Sequence, residues 1–263
     1  MNFFKYHGCG NDYVCIDCFN QSVKDPSSLS IKVSNRHFGI GSDGLILILP
    51  SDVADAKMRI FNADGSEGNT CGNGLRCVCK YLFDELNIKK KNILIETLSG
   101  IRNLKVINVN NNESYIEVDM GKPLEIKKIP ININDLDAKF GTYVSMGNPH
   151  FIIVCDNISD LDIKHFGEII QRMDTFPDGV NVEFIKINSE SNIDMRVFER
   201  GSGETMSCGS GACASVVSTI FNKICKNKVE VNLLGGSLLI EQRNDNVYMT
   251  GNAVKTFSGT FYF

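Results

Sequence analysis

Two stretches of this chain repeat one pattern. "SEGNTCGNGLRC" occupies residues 66–77 and "GETMSCGSGACA" residues 203–214, which sets Cys71 and Cys208 about half a chain apart. The interval between these cysteines also separates Glu67 from Glu204, Gly72 from Gly209, Gly74 from Gly211 and Phe61 from Phe198. It recurs between Gly10-Asn11 and Gly147-Asn148, each of which precedes an apolar run. A third landmark, Asp43-Gly44 before "LILIL" and Asp178-Gly179 before "VNVEFIKI", is slightly displaced from it. Ordered landmarks half a chain apart point to internal duplication, and a period this long means a duplicated domain, not a solenoid of roughly 20 to 50-residue repeats. The expected architecture is an α+β chain of two similar domains related by a pseudo-twofold axis. The boundaries expected are 1–120 and 121–263, with the final strand free to pack back on the first half.

Hydrophobic periodicity supports that division. Leu75, Val78, Leu82 and Leu86 after the first cysteine, and Ala212, Val216, Ile220 and Ile224 after the second, recur at helical steps. "ILIETL", "LKVINV", "SYIEVDM", "VEVNLL", "SLLIEQ" and "VYMTGNA" read as strands, and Asn110-Asn111-Asn112-Glu113 as a hairpin loop. Each half is then several strands with one long helix.

Composition excludes several classes of function. The 263 residues are 43% hydrophobic and 22% charged with a formal net charge of -4, so nucleic acid is not an expected partner. The start, "MNFFKYHGCGND", lacks the apolar core of a signal peptide, and no run of about 18 apolar residues is present, so no membrane association and a cytoplasmic location are expected. Ten cysteines without an oxidising compartment should be mostly thiols. Cys15 and Cys18 have a zinc-like spacing, but no second pair or matching histidines accompany them, and they alternate as strand residues. No metal is expected. Cys77, Cys79, Cys155, Cys213 and Cys225 sit among apolar neighbours and read as small core residues.

Cys9, Cys71 and Cys208 remain, and only the last two lie in matching glycine-rich contexts, each where a loop turns into a helix. The positive end of the helix favours a thiolate there, and the following glycines leave bare N–H groups open to a carboxylate or phosphate. Two thiols brought to opposite sides of one carbon supply what inversion of an amino-acid α-carbon needs, one base and one acid, while helix ends stabilise the enolate-like dianion. Such inversion needs no cofactor.

These segments resemble the diaminopimelate epimerase family: "FFKYHGCGNDYV", "GIGSDGLIL", "FNADGSEGNTCGNGLRC", "VDMGKP", "SMGNPHFIIV", "GVNVEFIKI", "VFERGSGETMSCGSGACA" and "GTFYF", from residue 3 to the end. The resemblance implies, in each half, a mixed, mostly antiparallel sheet wrapped around a central helix. It implies pyridoxal-independent interconversion of LL- and meso-diaminopimelate, on the lysine and peptidoglycan route, by a homodimer. It makes Cys71 and Cys208 the acid–base pair, and the backbone of Gly72, Asn73, Gly209 and Ser210 the cradle of the proximal carboxylate. Asn11, Asn62, Asn148, Asn181, Glu199 and Arg200 match substrate-contacting positions, with Arg200 the bidentate partner of the distal carboxylate. His150 and Glu199 are candidates to tune the thiols or to hold an ammonium. Many relatives have Gln where this chain has Gly44, a departure that bears on how the substrate's ammonium end is held. Two other readings compete: a racemase of proline, hydroxyproline or histidine, and a thiol redox or metal-binding module. Asn73 stands where proline-type racemases usually have His, and Arg200 suits a substrate with a second carboxylate.

Overall fold

The computed structural model describes residues 1–110 and 112–262. Asn111, in the expected hairpin loop, and Phe263, the end of the closing segment, lie outside the described residues. The chain divides into a unit of Met1–Asp119 with Thr250–Phe263 and a unit of Met120–Met249.

The first unit runs β1 Asn2–Gly8, β2 Asn11–Asp17, α1 Pro26–Ser34, β3 Gly44–Leu49, β4 Ala56–Asn62, β5 Glu67–Gly68, α2 Gly72–Asp84, β6 Asn92–Thr97, β7 Gly100–Val109 and β8 Glu113–Gly121. The second runs β9 Glu125–Pro130, β10 Phe140–Ser145, β11 Pro149–Val154, α3 Ile163–Gln171, β12 Asn181–Ser189, β13 Asn192–Glu199, β14 Gly203–Thr205, α4 Gly209–Phe221, β15 Lys228–Leu233 and β16 Gly236–Arg243, and the last strand, β17 Asn246–Thr260, starts in the second unit and belongs to the first from Thr250 onward. In both units most pairings are antiparallel, with parallel ones at corresponding places: β2 with β3 and β4 with β6 in the first, β11 with β12 and β13 with β15 in the second.

The helix after each cysteine is 13 residues long and buried around most of its circumference. Helix α2 packs on β1, β2, β4, β6 and β7, and α4 on β10, β11, β12 and β16. This makes each the central helix of its unit. The expected apolar stripes lie within them, except that Leu86 and Ile224 fall beyond the helix ends.

Each unit carries a second helix outside the two stripes that follow the cysteines. In α1, Asp25 caps the first turn by accepting from Ser28 N and Pro26 stands at N1, a start signal followed by only two large buried apolar residues, Leu29 and Val33. In α3, Asp162 accepts from His165 N, and Ile163, Phe166, Gly167 and Ile170 face inward. Because α1 covers β3 and β4 on the side away from α2, strand β3 is apolar on both faces, which is why "LILIL" runs unbroken instead of alternating.

Strand register corrects one landmark. Tyr13 stands opposite Gly44 in the parallel β2/β3 pair, and His150 opposite Asn181 in β11/β12. Tyr13 to His150 and Gly44 to Asn181 both keep the interval of the two cysteines, so the counterpart of Gly44 is Asn181, and Asp178-Gly179 is a separate turn dipeptide ahead of β12. Gly44 also allows a close approach: a Cβ there would lie 2.3 Å from Phe61 O, so backbone contact with β4, and not side-chain chemistry, explains the residue in this chain.

All ten cysteines are in the thiol form, with no disulfide. Cys225, expected in the core, is instead half-buried, its Sγ 3.8 Å from Ser189 O.

Candidate active site

Cys71 and Cys208 are the N-cap residues of α2 and α4, both with extended backbone (φ −145° and −124°). Gly72 and Asn73 open α2, and Gly209 and Ser210 open α4. First-turn N–H groups have no partner within the helix and carry its positive end, so each cysteine stands beside donors suited to a carboxylate. The two caps differ. Cys208 Sγ accepts from Gly211 N at 3.4 Å, whereas Cys71 makes no cap bond.

In the first unit, the expected residues Asn11, Cys71 and Asn73 come together. Asn73 Nδ2 donates to Asn11 Oδ1 at 3.1 Å, and Cys71 Sγ lies 3.8 Å from the same oxygen. A residue not expected from the sequence completes the group: the Tyr13 hydroxyl, 2.6 Å from Asn11 Oδ1 and 3.0 Å from Cys71 Sγ. Behind them the buried Arg76 donates from Nη2 to Asn73 Oδ1 at 2.9 Å. Asn62 stands at the exposed end of β4, opposite Gly44, its amide on Ser66 Oγ at 2.9 Å.

In the second unit, Asn148 Nδ2 donates to Ser210 Oγ at 3.3 Å, and Asn181 bridges Pro149 O and Arg200 N at 3.1 and 2.9 Å. Arg200 is exposed, with Nη1 on Asp178 O, which leaves the rest of its fork to a ligand. Thr205 Oγ1 donates to Glu199 Oε1, and the Cys208 thiol is a further hydrogen-bond partner of Glu199. His150 is fully buried, and its Nδ1 shares a hydrogen bond with Glu183 Oε1 at 2.6 Å.

Glu183 is the other residue that the sequence reading passes over. Its signal is an acid inside the apolar run "VNVEFIKI", where only a partnered carboxylate is tolerated. Gly211 makes room for it, since a Cβ there would lie 2.5 Å from Glu183 Oε1. His150, Glu183 and Cys208 offer donors within 4.8 Å of one another, close enough for a metal ion. With Nδ1 and Oε1 engaged to each other, Nε2 and Oε2, which have no hydrogen-bond partner, would have to take it.

Burial first, then the Glu199 and Glu183 carboxylates, push the Cys208 thiol well up, against the opposing Ser210 hydroxyl and Gly211 N–H. Burial likewise raises Glu199, partly offset by its bonds to Thr205 and Cys208. Cys208 therefore rests as a thiol beside a carboxylate able to take its proton. Glu199→Gln removes a like charge, so iodoacetamide alkylation of Cys208, followed by mass spectrometry against pH, should shift to lower pH while turnover falls. Because the Glu199 carboxyl is raised, the wild-type acid limb should lie above the ordinary glutamate value of about 4.3 and vanish in the variant. An unmoved alkylation profile would remove Glu199 from this role.

The fold is shared with a phenazine biosynthesis protein of the PhzF family from Bacillus anthracis, at TM-score 0.77 and 19% identity over 100% of this chain and 99% of that one. The class is thus a two-unit α+β fold of this type, with a cysteine capping the central helix of each unit. The family model described as diaminopimelate epimerase matches residues 3–125 and 142–256. A diaminopimelate epimerase of Acetivibrio thermocellus is 45% identical over 98% of both chains, and one of Methanococcus maripaludis 44% identical over 98% of this chain and 99% of its own. This chain belongs to the diaminopimelate epimerase family.

Proposed function

We propose that the protein interconverts LL- and meso-diaminopimelate without pyridoxal phosphate, Cys71 and Cys208 acting as alternating base and acid. The observation that carries this reading is the matched cysteine capping the central helix of both units in a chain of this family. One thiolate removes the α-proton from one face, and the other thiol returns a proton on the opposite face. The first-turn N–H groups of Gly72, Asn73, Gly209 and Ser210 hold the proximal carboxylate and stabilise the charge that develops there. Arg200 takes the distal carboxylate, with Asn11, Asn62, Asn148 and Asn181 ordering the remaining polar groups. Glu199 and His150 govern the proton on Cys208. Homodimer assembly and a cytoplasmic location belong to the same proposal, supported by the family resemblance and by ten thiols that suit a reducing compartment.

Proton NMR of LL-diaminopimelate in D2O, with reductant, a chelator and no added cofactor, tests it. Deuterium should enter the α-position as the meso form appears. Exchange with proline or another amino acid but not with diaminopimelate would reassign the substrate, and activity that returned only with zinc would overturn the cofactor-free mechanism.

A further inference from the structure

Strands β2 and β11 hold equivalent places in their units, and the parallel register makes Tyr13 the counterpart of His150. The two side chains nonetheless do different things. His150 turns to Glu183, while the Tyr13 hydroxyl touches the Cys71 sulfur directly. Resting on the two-cysteine reading above, we propose that Tyr13 is the hydrogen-bond partner that stabilises the Cys71 thiolate, its hydroxyl switching between Asn11 and Cys71 as that sulfur loses and regains its proton.

The proton inventory requires such a switch. A phenol has one proton to give, and two acceptors lie within reach, Asn11 Oδ1 at 2.6 Å and Cys71 Sγ at 3.0 Å. When Cys71 is a thiol, its S–H donates to the Tyr13 oxygen and the hydroxyl donates to Asn11. When Cys71 is a thiolate, the hydroxyl turns and donates to sulfur. Asn11 Oδ1 is not stranded by that turn, because Asn73 Nδ2 still donates to it at 3.1 Å, and Arg76 holds Asn73 from behind. The O–H bond is kept in both states, so no proton passes through Tyr13. Burial, and then the neighbouring Cys71, hold the phenol well above its ordinary range, so it stays a donor throughout the working pH range.

Other titratable and charged groups around the pair are Cys77 and Arg76 on α2, Cys9 after β1 and Asp43 ahead of β3, the last accepting from the backbone N–H of Asp12 on β2. Asp12 is paired with Lys5 at 2.6 Å and with Arg36 at 2.9 Å, and Asp43 with Arg36 at 2.9 Å. A change confined to the Tyr13 hydroxyl leaves all of these in place. Cys208, whose sulfur is governed by the Glu199 and Glu183 carboxylates, serves as the internal reference.

The test is the rate of iodoacetamide alkylation of Cys71 against pH, resolved from Cys208 by peptide mass spectrometry. Tyr13→Phe removes one oxygen. It should slow alkylation of Cys71 roughly tenfold at neutral pH, with the rate regained about one pH unit higher, and leave the Cys208 profile in place. Replacing Tyr13 with 3-fluorotyrosine, a stronger donor of the same shape, should move the Cys71 profile the other way. A profile that stays put in both variants, or Cys71 and Cys208 profiles that move together, overturns the proposal. If Tyr13→Phe does not fold, the fluorotyrosine shift alone decides. The labelling does not depend on turnover, so a failure of the epimerase reading shows in the D2O experiment and not here.

Discussion

Cys71→Ala and Cys208→Ala should each stop net inversion, lowering turnover by at least about 10³-fold, because each removes the proton carrier for one face of the substrate carbon. A single variant keeps the other carrier. It should therefore still exchange the α-proton of the stereoisomer that presents that proton to the surviving thiol, with retention of configuration, which deuterium wash-in detects. Stability should separate the two variants. Cys71 makes no cap bond, and its replacement should be almost silent thermally. Cys208 Sγ accepts from Gly211 N and is 6% exposed, so losing it removes an N-cap, costing about 1 kcal/mol and about 2 to 4 °C in Tm. Near-wild-type inversion by either variant would remove that cysteine from the mechanism.

Much of this is legible in the sequence because duplication writes the same constraint twice. The interval from Cys71 to Cys208 locates both central helices as well as both cysteines, since a helix start with Cys-Gly-x-Gly is a local signal needing no tertiary context. The helices α1 and α3 lie outside that interval argument: α1 shows its sheet only Leu29 and Val33, although Asp25-Pro26 carries a start signal, whereas in α3 Ile163, Phe166 and Ile170 do recur at helical steps behind the Asp162 cap, a stripe the duplicated cysteine motifs do not point to. Asp178-Gly179 misleads because a turn dipeptide fixes a bend and not a position in the strand register. Tyr13 and Glu183 are overlooked for the same reason: a Tyr in a strand and an acid in an apolar run acquire meaning only through what they touch. The interval itself pairs Tyr13 with His150, so once His150 is considered beside Cys208, Tyr13 follows beside Cys71.

The largest expected effect on stability lies behind the first cysteine. Arg76→Met should cost about 3 to 5 kcal/mol, read as a lower denaturant midpoint at unchanged slope. Arg76 is fully buried on α2, with Nε on Asn252 O at 2.9 Å, Nη2 on Asn73 Oδ1 at 2.9 Å and Nη2 near Cys9 Sγ at 3.9 Å. Gly8 leaves room for it, since a Cβ there would lie 2.7 Å from Nη2. Met matches the length but donates nothing, so Asn252 O and Asn73 Oδ1 each lose a buried donor, at about 1 to 3 kcal/mol per stranded group. Arg59 is the control: its bidentate pair with Glu67, at 2.7 and 2.9 Å, is about one-third exposed, so Arg59→Met should cost under about 1 kcal/mol. The loss at Arg76 should also reach the site, because Arg76 fixes Asn73, Asn73 fixes Asn11, and Asn11 shares the Tyr13 hydroxyl with Cys71. Under conditions where the variant remains folded, its Cys71 alkylation profile should broaden and move while that of Cys208 does not. Equal costs for Arg76→Met and Arg59→Met would mean that the buried guanidinium is not what ties α2 to the strands around it.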